Sequence, residues 1–174
     1  ETLLSSTGLQ FTAGILSNAS ASAVFTTPTV NGYKRYRPNS LAPDRAVWGR
    51  DNKGAMLRVI GAGSGDEATR VENRIGEPAA NPYLYIASQI FSGLDGIERG
   101  LEPPPPTDDP YLADGEKLPT NLMDAVTELE RSSMFRAAMG DRFIDYLLHI
   151  KRAEISRFLS TVTDWEHREY FEIF

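Results

Sequence analysis

Four consecutive prolines, Pro103 to Pro106, place the strongest constraint on how this chain folds. Proline fixes its own φ angle and lacks a backbone N–H, so neither a helix nor an internal strand continues through such a run. The run predicts a stiff, extended linker. Before it, helical and extended patterns alternate, whereas after it the apolar residues recur at helical spacing.

The clearest helix precedes this linker. Asn81 is a suitable N-cap, and Pro82 takes the first helical position, which favours proline. The helix that follows carries apolar residues on two sides, which predicts that it is buried. The first side includes Leu84 and Leu94, and the second includes Tyr83, Ile86 and Ile90.

Helices are also predicted at both ends of the chain. Residues 9–24 predict a helix that ends before Pro28. Beyond the prolines we expect a short helix from Thr120 or Asn121 and a longer one over about 141–159. A last helix within 163–174 is expected to pack back on the body.

Extended segments are predicted between the first helix and Asn81. They cover residues 31–38, 46–49, 55–60 and 68–75. Residues 51–54 resemble a hairpin turn, and the glycine-rich residues 61–66 predict a flexible loop. We therefore expect an α+β fold with about four short antiparallel strands flanked by helices.

Composition excludes several classes of protein. The chain has 174 residues and a net charge of −6, and 41% of its residues are hydrophobic, as in ordinary globular domains. The acidic balance argues against a general nucleic-acid binder. No apolar run approaches the ~18 residues of a membrane-spanning helix. The sequence has no cysteine and no recognisable signal peptide, so we expect a cytoplasmic protein without disulfides or thiolate metal sites.

Residues 70–74 place charged side chains on one face of a predicted strand. Arg70, Glu72 and Arg74 are two residues apart and therefore point the same way. Arg58 and Arg35 lie on neighbouring extended segments. A solvent-exposed face with surface ion pairs explains this pattern, and the pattern alone favours it. The alternative is an anion site, in which arginine forks bind phosphate or carboxylate and Glu72 binds a divalent cation.

Six short motifs, in order and spacing, resemble the glutamine synthetase family. They are residues 31–35 (NGYKR), 42–43 (AP), 52–58 (NKGAMLR), 70–74 (RVENR), 78–84 (PAANPYL) and 93–97 (GLDGI). The resemblance covers the whole chain and is most specific over residues 28–97. It implies that residues 1–174 are the C-terminal part of a catalytic domain, without the N-terminal β-grasp domain and the first half of the catalytic domain.

The resemblance also implies a reaction and its residues. Such enzymes use ATP to join an amine to the γ-carboxylate of glutamate, with Mg²⁺ or Mn²⁺ holding the phosphates, and they assemble as ring-shaped homo-oligomers. By position, Arg35 and Arg74 would bind the glutamate carboxylates. Arg58 and Arg70 would be the catalytic arginines on ATP and the transferring phosphoryl group. Glu72 would be a metal ligand.

The chain departs from the family pattern at several positions. Lys53 stands where an ATP-binding arginine is usual, and it supplies charge without a bidentate fork. Neither His149 nor His167 matches the metal-binding histidine of the family, and surface or packing roles are expected for both. Tyr111 falls in a region that is adenylylated in some bacterial relatives, but the alignment there is loose and favours a plain surface tyrosine.

Leu41 replaces the glutamate that binds ammonium in ammonia-using relatives. A leucine cannot accept a proton, but it offers an apolar wall to an alkyl or aromatic amine. We therefore expect an organic primary amine as substrate, with Trp48 either adding to the pocket or packing in the core. Two alternatives remain: an ammonia-using glutamine synthetase, and a non-catalytic fragment that only assembles with a partner.

Overall fold

A small sheet lies between helices in a computed structural model that describes residues 3–37, 40, 42–63 and 65–173. The α+β class predicted from the sequence is confirmed. The strands are β1 (Trp48–Arg50), β2 (Leu57–Ile60) and β3 (Arg70–Asn73), in the order β1-β2-β3. No helix in the described ranges is long and apolar enough to cross a membrane.

The first helical region is two helices rather than one. These are α1 (Ser6–Ser17) and α2 (Ala19–Thr26), which meet at Asn18. The Asn18 amide donates to the Gly14 carbonyl and to Asp95, so this side chain holds the junction in place. The second helix ends at Thr26, before Pro28, as predicted.

The remaining helices follow the sheet. They are α3 (Pro82–Glu98), α4 (Leu122–Arg131), α5 (Ser133–Met139), α6 (Asp141–Leu159) and α7 (Asp164–Tyr170). Asn81 caps α3 and Asn121 caps α4, as their side chains predict. The short α5 was not predicted, although Ser132 caps it.

The predicted burial of α3 is wrong for its second side and for Leu94 of its first side. Small residues face α1, and Gly14 lies so close to the Ser92 carbonyl that no side chain fits between the two helices. The large apolar residues on the opposite face are exposed in this structure. They are Tyr83, Ile86, Ile90 and Leu94.

Two predictions about the extended segments are corrected by the structure. Within residues 31–38, predicted to be extended, the structure has a 3₁₀-helix, Gly32–Arg35, which brings Tyr33 and Tyr36 to one side with ring centroids 5.9 Å apart. Strands β1 and β2 are parallel, not a hairpin. In the connection between them, the Asn52 side chain accepts a hydrogen bond from the Gly54 N–H and donates one to the Asp108 carbonyl.

The core has two parts. One lies between α2, α4, α5 and α6, and the other lies between α1 and the sheet, where Leu57 and Val59 are fully buried. Helix α7 does not pack back as predicted, since none of its described residues is buried. Aromatic rings in α7 and at its C-terminal end contact each other instead, Trp165 with Tyr170 and His167 with Phe171.

Candidate active site

Glu72 and three arginines lie on the face of the sheet that points away from the core. Strands β2 and β3 are antiparallel, with Arg58 opposite Glu72 and Val59 opposite Val71. Because side chains alternate along a strand and Val59 is fully buried, Arg58, Arg70 and Glu72 point to the other face. Arg70 and Glu72 therefore share a face.

The Glu72 carboxylate is held between two guanidinium groups. Arg58 Nη1 donates to Glu72 Oε2 at 3.0 Å, and Arg74 Nη1 donates to Oε1 at 2.8 Å. The two arginine side chains are each 19% exposed and Glu72 is 38% exposed, so the cluster is reachable from solvent. Such charge-assisted bonds set the direction of both arginine forks.

Asp51 is a member of this cluster that the sequence pattern did not reveal. Its carboxylate accepts hydrogen bonds from Arg58 Nε at 2.9 Å and from Arg58 Nη2. These bonds, with a smaller contribution from Glu72, raise the pKa of the Arg58 guanidinium above its ordinary value. Asp51 lies at the end of β1 with φ at 47°, a conformation that aspartate tolerates, and nothing local in the sequence indicates it.

Arg70 lies at the solvent end of β3. It is exposed, and its Nη1 donates to the Ala68 carbonyl at 2.8 Å. This contact ties the guanidinium to the backbone just before β3, and the side chain stays reachable from solvent. Arg70 thus adds positive charge to the face that carries Glu72.

Arg35 reaches the site from the 3₁₀-helix rather than from a strand. Its Nη1 donates to the Gly76 carbonyl at 3.0 Å, and its Nη2 donates to the Ile75 carbonyl. Tyr36 also contacts Arg35, since the guanidinium carbon lies 4.9 Å from the Tyr36 ring centroid. Arg35 therefore binds the backbone directly after Arg74, and it lies outside the Arg58–Glu72–Arg74 cluster.

Of the other two candidate residues, Lys53 lies within the described part of the chain and Leu41 does not. Lys53 is exposed in the connection between β1 and β2, at the end of the sheet where Asp51 lies. Leu41 lies outside the described residues, between Ser40 and Ala42. Trp48 is a core residue: it is 7% exposed, and its indole N–H donates to the Pro104 carbonyl at 2.7 Å.

The donor set fits one part of a divalent-cation site. Carboxylate oxygen is the ligand that Mg²⁺ and Mn²⁺ prefer, and a carboxylate that accepts two hydrogen bonds keeps further lone pairs for a cation. Among the residues that the structure describes, no group of three or more histidine, aspartate or glutamate side chains is arranged to hold a metal ion. Glu72 alone would therefore contribute one ligand.

Comparison with known proteins gives a consistent picture. The family model of the glutamine synthetase catalytic domain matches residues 1–170. A γ-glutamylanilide synthase from Acinetobacter sp is 50% identical over 98% of this chain and 36% of its own length. The γ-glutamylethanolamide synthetase GlnA4 of Streptomyces coelicolor is 39% identical over 93% of this chain and 35% of its own.

Two further relatives extend the comparison. A glutamine synthetase of Methanocaldococcus jannaschii is 39% identical over 96% of this chain and 38% of its own length. A solved structure of a GmaS/ADP complex superposes with a TM-score of 0.85 and 32% identity, covering 99% of this chain and 41% of that one. The chain thus spans well under half the length of the relatives it matches.

Proposed function

Because the chain belongs to the glutamine synthetase catalytic-domain family, we propose that it is part of an ATP-dependent ligase that joins an amine to the γ-carboxylate of glutamate. The observation that carries this proposal is the convergence of Arg58 and Arg74 on Glu72, beside Arg70 on the same open face. The relatives reported above are named as ligases of this kind, which supports it.

The chain corresponds, in this proposal, to the C-terminal part of the catalytic domain. The relatives are more than twice its length, so their other residues are available to complete an active site. The complete enzyme is proposed to work in the cytoplasm as a ring-shaped homo-oligomer, as the resemblance implies. The match of the family model over residues 1–170 supports the domain assignment.

The reaction has two steps in which atoms and charge balance. An oxygen of the glutamate γ-carboxylate attacks the γ-phosphorus of ATP, ADP leaves, and γ-glutamyl phosphate forms. The neutral amine then attacks the carbonyl carbon, the C–O bond to phosphate breaks, and the proton that the nitrogen loses passes to the phosphate that leaves. The phosphate that leaves carries one oxygen that came from glutamate.

The arginines of this face suit the charges that develop. Arg58 and Arg70 are proposed to neutralise charge on the ATP phosphates and the transferring phosphoryl group, with Lys53 as a further cation at the nucleotide. Arg35 and Arg74 are proposed to bind the carboxylates of glutamate, for which the planar guanidinium fork is well shaped. In this arrangement Arg58 exchanges Asp51 for a phosphate oxygen.

Glu72 is proposed as one ligand of the divalent cation, Mg²⁺ or Mn²⁺. The cation supplies charge that screens the phosphate oxygens from the incoming carboxylate. Glu72 also orients Arg58 and Arg74 through the two contacts described above. The remaining ligands are proposed to come from the part of the polypeptide beyond these residues.

An organic primary amine is the proposed acceptor. Leu41 lacks the carboxylate that would bind ammonium and take its proton, and an apolar wall contributes about 0.8 kcal/mol for each methylene it buries. The names of two relatives, γ-glutamylanilide synthase and γ-glutamylethanolamide synthetase, support an organic amine. Trp48 packs in the core and is not proposed to contribute to the amine pocket, so Leu41 is the residue of this chain on which the proposal rests.

A panel of amines tests this proposal. Phosphate release by the complete enzyme is measured with ammonium, ethylamine, ethanolamine, putrescine and aniline. We expect an organic amine to give the highest kcat/KM, and Leu41→Glu to shift the preference toward ammonium. A panel in which ammonium gives the highest kcat/KM contradicts the proposal.

An ammonia-using glutamine synthetase is the second candidate. The 39% identity to the Methanocaldococcus jannaschii glutamine synthetase over 96% of this chain favours it. In that case another group takes the proton that Leu41 cannot accept, and the same panel gives ammonium the highest kcat/KM.

A further inference from the structure

The segment that follows Arg74 is tied to the 3₁₀-helix by one carboxylate, that of Glu77. Glu77 Oε1 accepts hydrogen bonds from the Thr29 N–H at 3.1 Å and from the Thr29 hydroxyl at 3.0 Å. Oε2 lies 3.2 Å from the same hydroxyl. The Glu77 N–H in turn donates to the Thr26 carbonyl at 3.0 Å, so the end of α2 and the segment after β3 are joined twice.

Thr29 passes this connection to the start of the 3₁₀-helix. Its hydroxyl oxygen accepts a hydrogen bond from the Gly32 N–H at 3.0 Å. A Cβ on Gly32 would lie 2.1 Å from Glu77 Oε2, so the carboxylate occupies the space that any other residue would need. Glu77 thereby fixes where the helix that carries Arg35 begins.

Arg35, at the other end of that helix, binds the same backbone segment that precedes Glu77. It donates to the carbonyls of Ile75 and Gly76, the two residues between Arg74 and Glu77. Tyr36 also donates to the Ile75 carbonyl, at 3.2 Å, and its hydroxyl contacts the Thr27 hydroxyl at 2.6 Å. The positions of Arg35 and Arg74 are thus linked through a backbone segment that Glu77 anchors.

We propose that Glu77 is a positioning residue that sets Arg35 and Arg74 for glutamate binding. In this proposal Glu77 does not contact glutamate, ATP or the amine. It acts through Thr29, Gly32 and the backbone of residues 75–76. This inference rests on the proposed function, in which those two arginines bind glutamate. It predicts a selective effect on glutamate, because Arg58 and Arg70 lie within the sheet and are held by its hydrogen bonds.

Kinetics of the complete enzyme test the proposal. Glu77→Ala is expected to raise the KM for glutamate about tenfold to a hundredfold, the scale of a misplacement of about 1 Å. The KM for ATP is expected to change less than about twofold, since the sheet that carries its arginines is intact. Gly32→Ala is expected to reproduce the effect, because it displaces the carboxylate without removing it.

Two further variants separate positioning from general damage. Glu77→Gln keeps an oxygen that accepts from Thr29, so it is expected to restore most of the glutamate affinity. Glu116→Gln is the matched control, since Glu116 accepts a hydrogen bond from Ser20 of α2 at 2.6 Å on a contact away from the arginines. If Glu77→Ala fails to fold, Thr29→Val takes its place, because it removes the hydroxyl and keeps the backbone contact.

Hydrogen exchange gives a readout independent of turnover. Amides of residues 27–36 and 74–77 are expected to exchange faster in Glu77→Ala than in the unmodified enzyme. Unchanged exchange in both segments overturns the anchoring role, and an unchanged KM for glutamate in an active enzyme overturns the positioning role. If the unmodified enzyme shows no glutamate-dependent phosphate release with any amine, the proposed function itself is overturned, whatever the exchange shows.

Discussion

Arg70 and Arg74 are four residues apart, yet their surroundings differ. Arg74 is largely shielded and contacts Glu72, whereas Arg70 is exposed at the end of its strand. A residue that contacts the transferring phosphoryl group binds more strongly as charge develops, whereas one that binds glutamate acts equally in both states. The two positions are therefore expected to give different kinetic effects.

In the complete enzyme, Arg70→Ala is expected to lower kcat by about a hundredfold or more, with a smaller change in the KM for glutamate. Arg74→Ala is expected to raise the KM for glutamate strongly. Steady-state kinetics with glutamate and ATP varied separately measure both effects. The reverse pattern would exchange the two assignments.

At this scale, the sequence predicts what depends on local alternation. The common face of Arg58, Arg70 and Glu72 follows from the two-residue period of strands. Asp51 contacts Arg58, which is 7 positions away in the chain, and Glu77 contacts Thr29, which is 48 positions away. Nothing in the immediate sequence of either acid specifies its partner.

At the scale of elements, the crossing of α1 and α3 depends on glycine. A Cβ on Gly14 would lie 2.1 Å from the Ser92 carbonyl oxygen and 2.7 Å from the Gly96 nitrogen, both backbone atoms. Backbone cannot rotate away as a side chain does, so the two helices would have to separate. Helix α1 carries part of the core behind the sheet, so such a shift reaches the strands.

Gly14→Ala is expected to destabilise the protein by about 1–3 kcal/mol, the range for overpacking a close-packed site. The urea unfolding midpoint measures this. Gly8→Ala in the same helix is the control, because its nearest neighbour is the Leu4 Cβ at 3.3 Å, and it is expected to be neutral or to stabilise by up to about 1 kcal/mol. Equal stability of the two variants would contradict the account of the crossing.

Helices were more predictable than strand directions. Capping side chains mark the starts of α3, α4 and α7, because a cap is a contact over three or four residues. The parallel pairing of β1 and β2 has no such local marker, and the connection between the two strands contacts a distant residue, since the Asn52 side chain donates to the Asp108 carbonyl. The aromatic residues of α7 predict burial, yet they are exposed, since burial depends on what surrounds a helix and not on its own pattern.

At the scale of the whole molecule, the proposed chemistry needs more residues than these. A cation that bridges ATP phosphates usually has several protein carboxylate ligands. Glu72 is the carboxylate that this chain places between its arginines, and the described ranges contain no cluster of three metal-ligating side chains. The open face of the sheet is thus proposed to be one wall of a larger site.

The isolated 174-residue chain is therefore expected to be inactive as a ligase. Phosphate release from ATP that depends on both glutamate and an amine is expected to be absent with the purified chain at any Mg²⁺ or Mn²⁺ concentration. As a control, the intact mass of the assayed sample is measured to verify that it is the 174-residue chain. Robust turnover by material of verified mass would contradict the proposed division of the metal site.

Oxygen transfer from glutamate to phosphate tests the central claim most directly. The complete enzyme is given ATP, an accepted amine and glutamate labelled with ¹⁸O in its γ-carboxylate, and the released phosphate is examined by mass spectrometry. If the carboxylate attacks the γ-phosphorus and phosphate is later displaced by the amine, each released phosphate carries one oxygen from glutamate. Phosphate without the label would show that ATP is hydrolysed by water and that glutamate is not activated in this site.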